Sequence, residues 1–259
     1  MAEFVRLEID GAVGVIRLDR PPVNAFNSAV QRQLLQVAGQ VAENAAIRAV
    51  VLYGGERAFA AGADIKEMVD LNPGEIASLD GHLTDAVNAV GRLPQPVIAA
   101  ISGYALGGGF EVALAADLRV VAENAVLGLP EITLGVIPGA GGTQRLPRLI
   151  GASRAKELIF FGRQFSGSEA LAMGLATRAV PPERVLPESL YMARTLAAGA
   201  TAALAAAKRC IDDGLDVSLS AGLDLESRRF AELFATDDQT IGMTSFVQQG
   251  PGKAKFVGR

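Results

Sequence analysis

Apolar and polar residues alternate in two short runs near the start of the chain. FVRLEID (4–10) and AVGVIRLD (12–19) each predict a half-buried strand, and Asp10-Gly11 between them is a hairpin-turn dipeptide. Arg20-Pro21-Pro22 stops the second strand. The period then changes. Val30, Leu34, Leu35, Val37 and Val41 fall at helical spacing, with Ser28 as the expected cap and an end near Glu43. RAVVLYG (48–54) predicts a buried strand, the loop GGERAFAAGADIKEM (54–68) follows, and the region from there to Gly91 is only weakly patterned. PVIAAIS (96–102) is another apolar strand, followed by a glycine run that opens a helix to about Ala116. LRVVAE (118–123), AVLGL (125–129) and ATRAV (176–180) predict further short strands.

The second half is mainly helical. The pattern predicts helices at 141–150, 152–161, 168–173, 183–198, 201–213, 218–235 and 237–248, with Ser166 and Glu169 spaced as a capping box. Alternating helices and strands as far as about 180 indicate an α/β fold. The helical remainder suits either packing on that fold or contact between subunits.

Composition narrows the chemistry. The chain has 259 residues, half of them hydrophobic, which suits one large domain or a domain with an appendage. The net charge of −4 argues against nucleic acid as a partner. No apolar run reaches the about 18 residues of a membrane span, and MAEFVRLEID lacks an apolar leader core. A cytoplasmic protein is the expectation. His82 is the single histidine and Cys210 the single cysteine. His82 is expected on a helix surface and Cys210 in packing, so catalysis falls to carboxylates and backbone groups.

Three stretches could supply that catalysis. GYALGGGFE (103–111) places glycines at the mouth of a helix, with Glu111 one turn inside. Helix N-termini present unpaired N–H groups and partial positive charge. Such a turn can hold a phosphate or a developing oxyanion, or can simply allow a helix and a strand to pack closely. The lysine and hydroxyl of a P-loop are missing here, and the spacing of a dinucleotide fingerprint is not met. AAGAD (60–64) follows another buried strand, as a second possible source of a backbone N–H or as a plain turn. LGLPEITLGVIPGAGGTQRL (127–146) carries Glu131 inside an unusually apolar segment, where an unpaired charge would be costly. Two carboxylates brought to one pocket could perform acid–base work without histidine, one of them holding a proton near neutrality.

With these residues assembled, the chain resembles the enoyl-CoA hydratase/isomerase, or crotonase, superfamily. FAAGADIKEM (59–68), PVIAAISGYALGGGFE (96–111) and PEITLGVIPGAGGTQRLPRLIG (130–151) are similar to that family's signature segments in order. The opening hairpin, IRLDRPPVNAFN (16–27) and GMTSFVQQGPGKAKF (242–256) are similar to their counterparts, so the resemblance covers nearly the whole chain. It implies a ββα spiral core, assigned here to residues 1–195, and a C-terminal helical trimerisation region, 196–259. It also implies a homotrimer or a hexamer of paired trimers.

The implied activity is reversible hydration of a 2-enoyl-CoA thioester, as in fatty-acid β-oxidation or related acyl-CoA degradation. Isomerisation or another acyl-CoA reaction is the first alternative, and a non-catalytic binding role the second. Coenzyme A enters as part of the substrate, and no metal or separate cofactor is implied. By position, Ala63 and Gly108 match the oxyanion-hole residues, Glu111 the acid that activates water, and Glu131 the acid that exchanges the α-carbon proton. Gly139 matches a glycine near the reacting water. Ala61, Asp64, Ile65 and Lys66 match the segment cradling coenzyme A, and Arg20 and Lys253 sit where its phosphates are often contacted. Phe110 stands where a smaller residue is common, and MVDLNPGEIASLD (68–80), bordering the family's acyl pocket, is the least similar stretch.

Overall fold

A computed structural model describes residues 2–78 and 82–259, with 77, 78 and 82 described by their backbone alone. The expected surface placement of the His82 side chain, and the end of the 68–80 stretch, therefore lie outside the described residues. The hairpin forms as predicted. β1 (Val5–Asp10) and β2 (Val13–Leu18) pair antiparallel with Asp10 opposite Val13, and Gly11 turns the chain at a φ of 60°. α1 (Ser28–Glu43) buries Val30, Leu34, Val37 and Val41. Its cap is Asn27, whose side chain accepts from the Val30 amide, and not Ser28 as expected. Ser28 lies one residue inside the helix, and its N–H and hydroxyl both donate to Glu67.

The rest of the core alternates between two sheets. β3 (Ala49–Tyr53) precedes α2 (Pro73–Ser78) and α3 (His82–Gly91). β4 (Val97–Ile101) leads through a glycine corner to β5 (Tyr104–Leu106) and α4 (Gly108–Ala115). β6 (Leu118–Ala122) leads to β7 (Val126–Gly128), then α5 (Gly142–Ile150) and α6 (Ala152–Phe160). β8 (Phe165–Ser166), α7 (Gly167–Ala172) and β9 (Arg178–Val180) complete it, with the Ser166–Glu169 capping box in place. The first sheet runs β1-β2-β3-β4-β6-β9, parallel from β2 onward, and the second runs β5-β7-β8. An Ala60–Ala105 bridge extends the second sheet towards the loop after β3. β4 and β6 are each followed by a strand of the second sheet and then a helix, the repeat of the crotonase-like ββα spiral.

The chain can turn between sheets only where side chains allow it. At Gly103, φ is 63° and a methyl group would stand 1.9 Å from the Arg57 carbonyl oxygen, so only glycine fits that corner. Arg119, 6% exposed, donates to the carbonyls of Ala113 and Ala116 at the end of α4 and to that of Leu175. It satisfies helix-end acceptors that water cannot reach. Burial lowers its pKa to about 10, so it keeps its charge at neutral pH.

α8 (Val185–Ala197) packs across β2, β3, β4 and β6 and crosses the expected boundary at residue 195. α9 (Thr201–Gly214) is tied to the core by Lys208, whose ammonium meets Asp117 at 2.9 Å. α10 (Leu219–Glu232) and α11 (Asp237–Gln249) follow. Asp238 is buried and accepts the Val257 and Gly258 amides, which fastens the chain's end to α11. Cys210 is half-buried on α9 rather than enclosed in the core. Among the described residues, no single helix is long and apolar enough to cross a membrane.

Candidate active site

The two loops singled out in the sequence meet. Phe26 donates to the Gly62 carbonyl and accepts from the Asp64 amide, which turns the intervening Ala63 N–H away from that bridge. Gly107, at a φ of 51°, turns the chain into α4 and leaves Gly108 as its first residue. A methyl group built on Gly108 would stand 3.6 Å from the Ala63 nitrogen and 3.9 Å from Glu111 Oε2. Among the described residues neither the Ala63 nor the Gly108 amide donates to a protein acceptor. Two free donors therefore flank one small space at the positive end of a helix.

Glu111 lies one turn into α4 and is 2% exposed. Its Oε1 accepts the Ala140 and Gly142 amides, each at 2.7 Å, which leaves Oε2 on the side of Gly108. Burial raises its pKa, while these two amides and the nearby Arg145 guanidinium favour the ionised form. Glu131 opens a 3-10 turn (Glu131–Leu134) after β7. A methyl group on Gly107 would lie 3.1 Å from Glu131 Oε1, so this carboxyl borders the same glycine run. Its Oε2 is buried with no hydrogen-bond partner among the described residues. Burial, reinforced by the negative charge of Glu111, raises its pKa to about 7, against the pull of its own backbone amide. The two acids are thus brought together but differently held: one against paired amides, the other with a bare oxygen.

The remaining expected residues divide. Ala61 and Asp64 are half-buried, whereas Ile65 and Lys66 are exposed in the 3-10 turn Ile65–Glu67 that follows. All four lie beside Ala63 in the chain. Arg20 reaches this segment, but its guanidinium is paired with Asp64 at 2.7 Å and donates to the Ala25 carbonyl. It therefore shapes the loop rather than presenting a free cation. Gly139 has open space where a side chain would project, next to the Ala140 amide that holds Glu111. Lys253 is exposed in the tail, and none of the described contacts joins it to the loop at 61–66.

Sequence reasoning missed the residues that support Glu111. Ala140 and Gly142 act through backbone amides, which carry no side-chain signature beyond the run PGAGG. Thr84 and Asn88 lie in α3, within the weakly patterned stretch. Leu83 covers Gly108, its Cδ2 standing 2.8 Å from a methyl group placed there.

The two-sheet spiral, with two carboxylates and two free amides at one helix mouth, agrees with the crotonase class. Residues 8–257 match the enoyl-CoA hydratase/isomerase family, and the chain belongs to it. A protein of Rhizobium meliloti named "Probable enoyl-CoA hydratase" is 43% identical over 99% of both chains. The short-chain-enoyl-CoA hydratase of Clostridium acetobutylicum is 38% identical over 95% of each chain. The crystal structure of enoyl-CoA hydratase from Bacillus anthracis superposes with a TM-score of 0.91 at 41% identity, covering 95% of this chain and 96% of that one.

Proposed function

We propose that this protein is an enoyl-CoA hydratase that adds water, reversibly and syn, across the 2,3-double bond of a 2-enoyl-CoA thioester. The reading rests on one observation above all: Glu111 and Glu131 face the same glycine-lined space, Glu111 with one oxygen held by two backbone amides and Glu131 with a buried oxygen that no donor among the described residues meets. The thioester oxygen lies between the Ala63 and Gly108 amides. Ionised Glu111 takes a proton from water through Oε2 as the water oxygen bonds to C3. The π electrons move onto the thioester, and the enolate oxygen is held by the two amides. One such preorganised donor contributes about 3–4 kcal/mol of barrier lowering. Glu131 then delivers its proton to C2. Both additions occur on one face, and the product is the 3-hydroxyacyl-CoA.

The coenzyme A portion passes along Ala61, Asp64, Ile65 and Lys66 in this reading and arrives on the substrate, so no separate cofactor takes part. Exposed apolar side chains on α10 and α11 support assembly of the chain as a homotrimer, or as paired trimers. The test is a panel of 2-enoyl-CoA chain lengths, followed by loss of the conjugated-thioester absorbance. Glu111→Gln and Glu131→Gln should each lower kcat by about a hundredfold or more while still binding acyl-CoA. Near-normal turnover by either variant refutes the two-acid assignment. Double-bond migration without hydration assigns the chain to isomerisation instead.

A further inference from the structure

The loop that holds Glu111 is itself gripped from one face of α3. Thr84 and Asn88 are four residues apart on that helix and so lie on one side of it. The Thr84 hydroxyl donates to the Gly139 carbonyl at 3.2 Å. The Asn88 side-chain oxygen accepts from Arg145 Nη2 at 2.8 Å, and Arg145 Nη1 donates to the Ala140 carbonyl at 3.1 Å. Arg145 sits in the first turn of α5 and folds back over Gly141. A methyl group there would fall 2.0 Å from Nη1, and φ at Gly141 is 108°, so glycine alone admits this path.

The peptide planes give the arrangement its meaning. The Gly139 carbonyl belongs to the same peptide group as the Ala140 N–H that donates to Glu111. The Ala140 carbonyl belongs to the next peptide, which lies between the two donating ones. Gripping these two carbonyls fixes the rotation of the segment that carries both N–H donors. A carbonyl that accepts a hydrogen bond also polarises the N–H of its own peptide into a stronger donor.

We propose that Thr84, Asn88 and Arg145 form a positioning clamp that sets the orientation and proton affinity of Glu111 through the 139–142 loop. This rests on the reading of Glu111 as the base that activates water. The charged groups facing Glu111 are Glu131 from the turn after β7 and Arg145 from α5, with Arg92 at the end of α3 beside Arg145. Among the described residues, Arg145 is the cation that directly favours ionised Glu111. Its other side lines a cleft of about 890 Å³ shared with α9, so shortening it leaves solvent-accessible space rather than a sealed void.

Three variants and a pH profile of enoyl-CoA hydration test the clamp. Arg145→Gln should lower kcat about tenfold to a hundredfold with KM little changed. It should also move the acid limb of the kcat profile to higher pH, because losing the cation raises the proton affinity of Glu111. Arg145→Lys keeps the charge but not the fork, so the acid limb should return while kcat stays reduced. Asn88→Ala frees one end of the guanidinium and should lower kcat with the limb in place. An Arg145→Gln enzyme with unaltered kcat and an unmoved acid limb overturns the proposal. If that variant does not fold, unaltered kcat in Asn88→Ala overturns it instead. The Glu111→Gln variant separates the two readings: its activity would remove the base itself, whereas an inactive Glu111→Gln beside an unaffected Arg145→Gln removes only the clamp.

Discussion

At Glu131 a carboxyl group is held where its neutral form is favoured. Burial and the neighbouring Glu111 raise its pKa from an ordinary 4.5 to about 7, and its Oε2 finds no donor among the described residues. Such a group costs the fold stability once it ionises. In the unfolded chain it loses its proton near 4.5, and in the folded chain near 7. Between those values the native state binds more protons, so stability falls as the pH climbs through that window. Glu131→Gln removes the ionisation and keeps the shape. We expect its Tm to exceed that of the parent at pH 8 and to match it at pH 4, as thermal unfolding monitored by circular dichroism can show. A lower Tm at pH 8 would mean that the carboxylate is satisfied in the fold. Glu111 is buried more deeply, and burial raises its pKa too, but two backbone amides act against that rise. The residue types and their order marked both acids in the sequence. The difference between them depends on which amides each meets, and those come from segments distant in the chain.

α4 shows why three glycines stand together. Gly107 takes the positive φ that turns β5 into the helix. A methyl group on Gly109 would sit 2.3 Å from the Ala60 carbonyl oxygen, so that glycine permits close packing against the neighbouring loop. Gly108 alone borders the space between the two free amides. Gly108→Ala should fold, because its nearest neighbour is the movable end of Leu83, but its methyl group would intrude where the thioester oxygen belongs. A fall in kcat/KM of about a hundredfold or more is expected with a native circular dichroism spectrum, and full activity would contradict the oxyanion assignment. The hairpin, α1 and the longer helices were legible because their periods run for several turns or alternations. β5 and β8 are too short to alternate visibly, and the stripe Leu83, Ala86, Val87 and Val90 of α3 covers barely two turns. The weakly patterned stretch therefore hid Thr84 and Asn88. The cap of α1 moved to Asn27 because Ser28 found a tertiary partner in Glu67.

Across the molecule, burial is uneven. The two sheets and α8 enclose a continuous core, whereas α9 and α10 have no buried residue and α11 has only Asp238. Leu219, Leu223, Phe230, Phe234 and Val247 remain at least half exposed, and Phe230 and Phe234 stack edge to face at 5.3 Å on that surface. Helices with such faces suit a partner, and the proposed homo-oligomer would cover them with a second copy of the chain. Phe230→Glu should shift the sedimenting species to smaller mass in analytical ultracentrifugation, and an unchanged oligomer would place the interface elsewhere. By itself the sequence determined the fold class, the helical end of the chain, the two acids and the glycine-rich loops, because periodicity and local backbone demands are written in neighbouring residues. Only the tertiary structure decided that Ala63 meets Gly108, that Ala140 and Gly142 hold Glu111, that Arg20 is taken by Asp64, and that α3 grips the loop behind the base. Those contacts join segments separated by long stretches of chain, and backbone N–H groups, which every residue but proline carries, acquire a role only where the fold places them.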